Sequence, residues 1–295
     1  MKRTEEEKLT ARSVKHRSLM AQAMRNFIRN PLGMIGSTII VVIVLLCVSA
    51  NLICPEGYDA QNVALKFIAP CREFLFGTDN LGRSLLARLL YGGRTSLLIG
   101  AVATLFATIF GTLLGAVAGF YGGKVDAVIM RFMDVLNSIP DIVLAIAVSS
   151  ALGGGLKNAV LAISISFLPP FARMMRGPVL AVKEQQFVEA ARATDARDLR
   201  IIFKYILPNV SSQLIVEITL HLARGILTVA SLSFIGLGVT PPTPEWGGLI
   251  SAGRAYILKY PYLVTYPGVA IAITVLSFNL IGDAMRDALD PRLNH

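Results

Sequence analysis

Glu217, His221 and Arg224 stand at i, i+4 and i+7 within one apolar run, which puts an acid, a base and a cation on one helical face. Asp134, Asn137, Ser138 and Asp141 interrupt a second run. Ionisable groups among long apolar stretches are costly, and they persist where they meet one another or line a water-filled path. Asp141, Asn137, Glu217, His221 and Arg224 are therefore candidate polar residues of a translocation path. Asp141 follows Pro140 about half a span deep, where it is placed to meet an ammonium group. Two plainer readings stay open: a carboxylate paired with an arginine of a neighbouring helix, and a charge cluster that fixes packing.

No catalytic centre assembles from these residues. Hydrolysis within the spans needs a nucleophile with its base, or a zinc pair such as HExxH, and His221 is the only histidine inside a span. There is no Gly-x-x-x-x-Gly-Lys-Ser/Thr loop for nucleotide phosphates. Cys47, Cys54 and Cys71 form no CxxC and have no paired histidines, so no metal site is expected. Cys54 and Cys71 share one loop, as free thiols or as a loop-closing disulfide.

The elements that must position these groups are membrane helices. The chain has 295 residues, 54% hydrophobic and only 16% charged, with mean hydropathy +0.61. Its apolar runs reach the roughly 20 residues that cross a bilayer. Six spans are expected, near Leu32–Ile53, Ser96–Phe120, Val125–Leu152, Ala159–Met175, Gln213–Gly238 and Leu263–Met285. The net charge of +9 does not point to nucleic acid. Basic residues gather instead in the tail, between Arg173 and Lys204, and at the chain end, the pattern of charge held on the cytoplasmic side. Both termini are then cytoplasmic.

The expected division is a basic tail (1–30), a first anchor (31–53), an extracytoplasmic loop (54–94), a transmembrane domain (95–287) and a cytoplasmic end (288–295). The outer loop fits the charge rule poorly, because it carries Lys66, Arg72, Arg83, Arg88 and Arg94. Leu85–Tyr91 reads as an amphipathic helix in the interface with snorkelling arginines. Ala103, Ala107, Gly111, Gly115 and Gly119 recur every fourth residue and predict a close-packing face. At the inner end of the last span, Asn279, Asp283 and Asp287 repeat at four-residue spacing and predict local pairs with Arg286 and Arg292.

Between the fourth and fifth spans, at about 183–210, Glu189-Ala190-Ala191-Arg192-Ala193-Thr194-Asp195 runs on to Ile206-Leu207-Pro208. Two short helices joined by a tight turn can lie in a groove on a partner, and Ala190 and Ala191 would let that partner approach. Glu189 suits a helix start, where exposed amides favour negative charge. Pro208 lacks an amide hydrogen and marks a break before the fifth span.

This segment resembles the coupling ("EAA") loop of ABC importer permeases. Further matches follow in order. They are Phe76-Gly77-Thr78-Asp79-Asn80-Leu81-Gly82-Arg83, Phe120-Tyr121-Gly122-Gly123, and Leu232-Ser233-Phe234-Ile235-Gly236-Leu237-Gly238 with Pro241-Pro242-Thr243-Pro244-Glu245-Trp246-Gly247. The last runs from Phe278-Asn279-Leu280-Ile281-Gly282-Asp283 to Arg286-Asp287-Ala288-Leu289-Asp290-Pro291-Arg292. Over about the last three-quarters of the chain, they resemble the second permease subunit of dipeptide, oligopeptide and nickel importers.

The resemblance implies an all-α integral protein of six transmembrane helices in the type I importer fold, multi-pass in the cytoplasmic membrane. It implies no enzyme activity and no cofactor on this chain, with ATP and magnesium used by partner subunits. It also implies a second homologous permease, two ATP-binding subunits and an extracytoplasmic solute-binding protein. Glu189, Ala190, Ala191, Asp195, Ile206, Leu207 and Pro208 are the residues it assigns to ATPase coupling. The implied cargo is short peptides, with nickel, glutathione or opines as the family's alternatives. Two departures stand out. The family's turn glycine is Asp195 here, a residue that tolerates a left-handed backbone and can cap the next helix. Relatives also place a glutamate near Val229, and this chain does not.

Overall fold

The computed structural model describes residues 19–289, and the basic tail before Leu19 and the end from Asp290 lie outside them. The described residues form helices α1 (Leu19–Arg29), α2 (Pro31–Val48), α3 (Ala50–Ile53), α4 (Leu85–Tyr121), α5 (Gly123–Asn137), α6 (Asp141–Leu152) and α7 (Leu156–Val182). They continue as α8 (Gln186–Ala193), α9 (Asp198–Ile201), α10 (Leu207–Phe234), α11 (Trp246–Gly253) and α12 (Tyr262–Leu289). Among the described residues, five helices are long and apolar enough to span a membrane: α2, α4, α7, the stretch Gln213–Phe234 of α10, and α12. The pair α5 and α6 supplies a sixth span if counted together.

The expected span Val125–Leu152 is this pair, broken in the middle. α5 and α6 meet at 88° across Ser138-Ile139-Pro140. Proline has no amide to donate and pushes the preceding residue out of helical geometry, so α5 stops at Asn137 and α6 restarts at Asp141.

The small-residue face is the main packing seam. Ala103 and Ala107 are fully buried, and a Cβ at Gly111 would lie 2.6 Å from the Phe171 Cβ. One at Gly115 would collide with the Ala172 carbonyl oxygen, and one at Gly119 would reach 2.9 Å from that of Arg176. α4 therefore lies against the backbone of α7, which continues as a helix through Pro169, Pro170 and Pro178.

The expected interfacial helix is corrected. Leu85–Tyr91 is the first part of the 37-residue α4, with Leu85, Ala87, Arg88 and Leu90 buried. Its arginines do not snorkel. Asp79 accepts from Arg83 Nε at 2.8 Å and lies 3.5 Å from Arg88 Nε, and Asp59 lies 3.5 Å from Arg83. Arg94 donates to the carbonyl oxygens of Cys47 and Val48 and to Asn51 Oδ1, so its charge sits at the carbonyl end of α2. The misfit in the outer loop's charge count thus has a cause: two of its cations are paired with Asp59 and Asp79, and a third is held by the carbonyl end of α2.

The remaining motifs pin this end of the molecule. Tyr262 donates its hydroxyl to the carbonyls of Ile68 and Thr78. Glu245, though buried, accepts from Ser96 Oγ at 2.8 Å and from the Gly248 amide at 3.0 Å, capping α11. All three cysteines are free. Partial burial and the Glu56 carboxylate push the Cys54 thiol above its ordinary range.

Candidate coupling surface and translocation path

The candidate loop folds as a helical hairpin, α8 and α9, joined by a turn at 194–197. Asp195 has φ of 57°, the left-handed conformation that the resemblance to the coupling loop implies for this turn. Its amide bonds to the Arg192 carbonyl at 2.9 Å, and the Ala196 amide reaches back to the Ala191 carbonyl at 3.2 Å. These two bonds close a Schellman turn, with Ala196 packed beside Ala191 as its hydrophobic contact. The Asp195 side chain does not cap the next helix, which has no side-chain cap.

One face of the hairpin is buried. Val188, Ala191, Ile201, Ile202 and Ile206 pack with Ala116, Phe120, Met175 and Val179 of α4 and α7. Each fully buried Val or Ile contributes about 1.5–3 kcal/mol relative to water, against about 0–1 for an exposed ion pair. The four such residues therefore bind the hairpin to the spans as one body. Phe120 also carries the Arg192 guanidinium 5.4 Å above its ring, and the Asp198 carboxylate lies beside the Tyr121 hydroxyl. The Phe-Tyr-Gly-Gly motif thus joins the end of α4 to the hairpin.

The other face is open: Glu189, Ala190, Arg192, Ala193, Asp195, Arg197 and Arg200 are exposed. Phe187, Leu199 and Phe203 add apolar surface at 39%, 63% and 55% exposure. Thr194, Asp195, Ala196, Arg197, Arg200 and Tyr205 line an open cleft of ≈ 550 Å³. Two expectations change here. Ala191 faces inward, so Ala190 and Ala193 are the small residues on the open face. The chain does not break at Leu207-Pro208. Instead α9 passes through a π-turn at Ile202–Ile206 directly into α10, with Pro208 in its first turn. The wider turn absorbs the carbonyl that proline cannot satisfy, and Asn209 donates to the Tyr205 carbonyl at 2.6 Å.

The polar groups within the spans separate into two sets. Asp134 pairs with Arg173 at 2.9 Å, and Asp126 accepts two bonds from Arg176 at 2.5 Å, both tying α5 to α7. For Asp134 the neighbouring-arginine reading is the one observed. Sequence reasoning passed over Asp126 as a pairing residue, although its place beside the glycine turn was visible. Asn137 and Asp141 are exposed on either side of the α5–α6 bend, and Asp141 Oδ1 accepts from the Ile142 amide at 2.9 Å.

On α10, His221 Nδ1 lies 3.2 Å from Glu217 Oε1 and 3.0 Å from the Glu217 carbonyl oxygen. Both neighbours are acceptors, so Nδ1 carries the proton. The ring is 1% exposed between Phe167 and Phe171, and its Nε2 has no partner among the described residues. Arg224 is exposed on the same helix. Asn279, Asp283 and Asp287 are exposed and form no ion pair among the described residues, while Arg292 lies outside them. The described residues hold no group of three metal-binding side chains.

Residues 111–295 match the family described as binding-protein-dependent transport system inner membrane component, and residues 18–70 match the N-terminal TM domain of oligopeptide transport permease C. The dipeptide transport system permease protein DppC of Alkalihalophilus pseudofirmus is 41% identical over 272 residues, covering 92% of this chain and 90% of that protein. The glutathione transport system permease protein GsiD of Escherichia coli O157:H7 is 41% identical over 272 residues, 91% of this chain and 89% of its own length. Among solved structures, an inward-facing MetNI methionine ABC transporter aligns with TM-score 0.56 and 21% identity. It covers 68% of this chain and 96% of that one, a likeness of fold.

Proposed function

Because the chain belongs to the family of binding-protein-dependent inner-membrane transport components, we propose that it carries short peptides across the cytoplasmic membrane as one permease subunit of an ATP-driven importer. The observation that carries this proposal is the two-faced hairpin. One face is fixed to the spans by buried Val188, Ile201, Ile202 and Ile206, and the other is open, with small Ala190 and Ala193 and exposed Phe187 and Leu199. A rigid element with a free face is what a partner needs in order to move the spans. The hairpin then lies on the cytoplasmic side, as does the N-terminal tail.

The assembly we propose is this permease, a second homologous one, two ATP-binding subunits that use ATP and magnesium, and an external solute-binding protein. This chain performs no chemistry and holds no cofactor. As the ATPases close on nucleotide, α8 is displaced. Phe120 and Tyr121 transmit that movement to α4, and the continuous α9–π–α10 rod transmits it to the fifth span. The central cavity thereby changes the side it faces. Asn137 and Asp141 at the bend, with Glu217 and Arg224 on α10, supply the polar path, and His221 aims Glu217.

The glutathione permease at the same identity extends the cargo to that short peptide. The test is uptake of labelled dipeptide, glutathione and nickel in cells with and without the gene. Loss of dipeptide or glutathione uptake on deletion supports the proposal. Loss of nickel uptake alone, or of none of the three, overturns the cargo assignment.

A further inference from the structure

Helix α1 has no part in the transport reading, yet its faces differ sharply. Ala23 is buried, and the Phe27 ring lies against Gly33 beside Ala284, so this face packs on α2 and α12. A face about 100° further round the helix exposes Met24 and Ile28, one turn apart, at 53% and 57%. Arg25 and Arg29 stand next to them, exposed and without an ion pair among the described residues. The exposed apolar surface continues onto Leu32 and Ile35 at the foot of α2, at 55% and 52%. Asn30 ends α1 there, and its side chain caps α2 by accepting from the Leu32 and Gly33 amides.

An apolar stripe beside a cationic one, at the foot of a spanning helix, matches the chemistry of the headgroup layer and not that of bulk water. The preceding residues reinforce the sign: Lys2, Arg3, Lys8, Arg12, Lys15 and Arg17 stand against Glu5, Glu6 and Glu7. Guanidinium groups bind phosphate oxygens through two parallel hydrogen bonds.

We propose that α1 lies in the bilayer surface and binds anionic phospholipid, with Met24 and Ile28 among the acyl-chain ends and Arg25 and Arg29 on headgroup phosphates. The proposal rests on α2 being a membrane span, and not on the cargo. Two arginines near a charged surface favour anionic over zwitterionic lipid by roughly 30-fold. Phospholipid of this kind anchors the foot of the first span and holds the α1–α12 contact in register.

The experiment places the assembled complex, carrying Ile28→Trp, in phosphatidylcholine nanodiscs doped with brominated phosphatidylglycerol or, at the same fraction, brominated phosphatidylcholine. Quenching of the new indole reads contact directly, without transport activity. The expected result is stronger quenching by the anionic lipid. That preference should vanish in an added Arg25→Gln/Arg29→Gln pair, persist in Arg25→Lys/Arg29→Lys, and weaken at high salt. Equal quenching by both lipids, or a preference that survives the glutamine pair, overturns the assignment. Quenching by neither lipid would mean that protein covers this face, and also overturns it. Cargo uptake that proves not to be peptide leaves the result untouched, so the two proposals fail separately.

Discussion

At the residue scale, the turn at Asp195 and the carboxylate at Glu217 carry the most weight. Asp195 holds a φ of 57°, where a β-branched side chain clashes with its own backbone and glycine does not. Asp195→Gly is expected to keep transport and raise the thermal midpoint slightly, whereas Asp195→Val should uncouple ATP hydrolysis from uptake. Thermal unfolding and the ratio of ATP hydrolysed to cargo moved, both on the purified complex, check this. Glu217 presents its carboxylate 3.2 Å from a histidine whose ring nitrogens have no other partner among the described residues. A charge-assisted contact to cargo contributes about 1.5–3 kcal/mol, which is at least tenfold in rate. Glu217→Ala is therefore expected to lower maximal uptake of a lysine-containing dipeptide about tenfold, with the amount of assembled complex unchanged. An unchanged rate would remove Glu217 from the path.

At the scale of elements, packing is decided by the α4–α7 seam. A side chain at Gly115 would meet the Ala172 carbonyl, and overpacking of this kind costs about 1–3 kcal/mol or more. Gly115→Leu should abolish assembly, as read by co-purification of the complex, whereas Gly268→Ala, with open space around it, should not. This seam was legible from the sequence, because five small residues in strict four-residue register have little other use in lipid. The hairpin was legible too, since the loop this segment resembles implies a left-handed backbone at the turn whichever residue fills it.

Other elements were hidden for physical reasons. The arginines at 83, 88 and 94 look like an interfacial stripe along the chain, and only the fold brings Asp79, Asp59 and the end of α2 against them. Pro140 announced the bend in the third span, but hydropathy alone runs straight through it. The inward aim of Ala191 depends on how α8 rotates against Phe120, and neither spacing nor composition fixes that rotation.

At the scale of the molecule, the described residues form a bundle whose one end is pinned by the Thr78, Tyr262 and Glu245 hydrogen bonds, while the other carries a hairpin bound as one body to α4, α7 and α10. Force applied to such a hairpin reaches three spans at once. The most direct test reconstitutes the chain with the proposed second permease, ATPases and solute-binding protein in liposomes and follows labelled dipeptide. Ala190→Arg is introduced on the open face of α8, where it leaves the buried face intact. Uptake is expected to require ATP. Ala190→Arg is expected to abolish both uptake and cargo-stimulated hydrolysis, while the permease pair stays assembled. Uptake by this chain without ATPases, or full uptake by the Ala190→Arg complex, would overturn the proposed role of the hairpin.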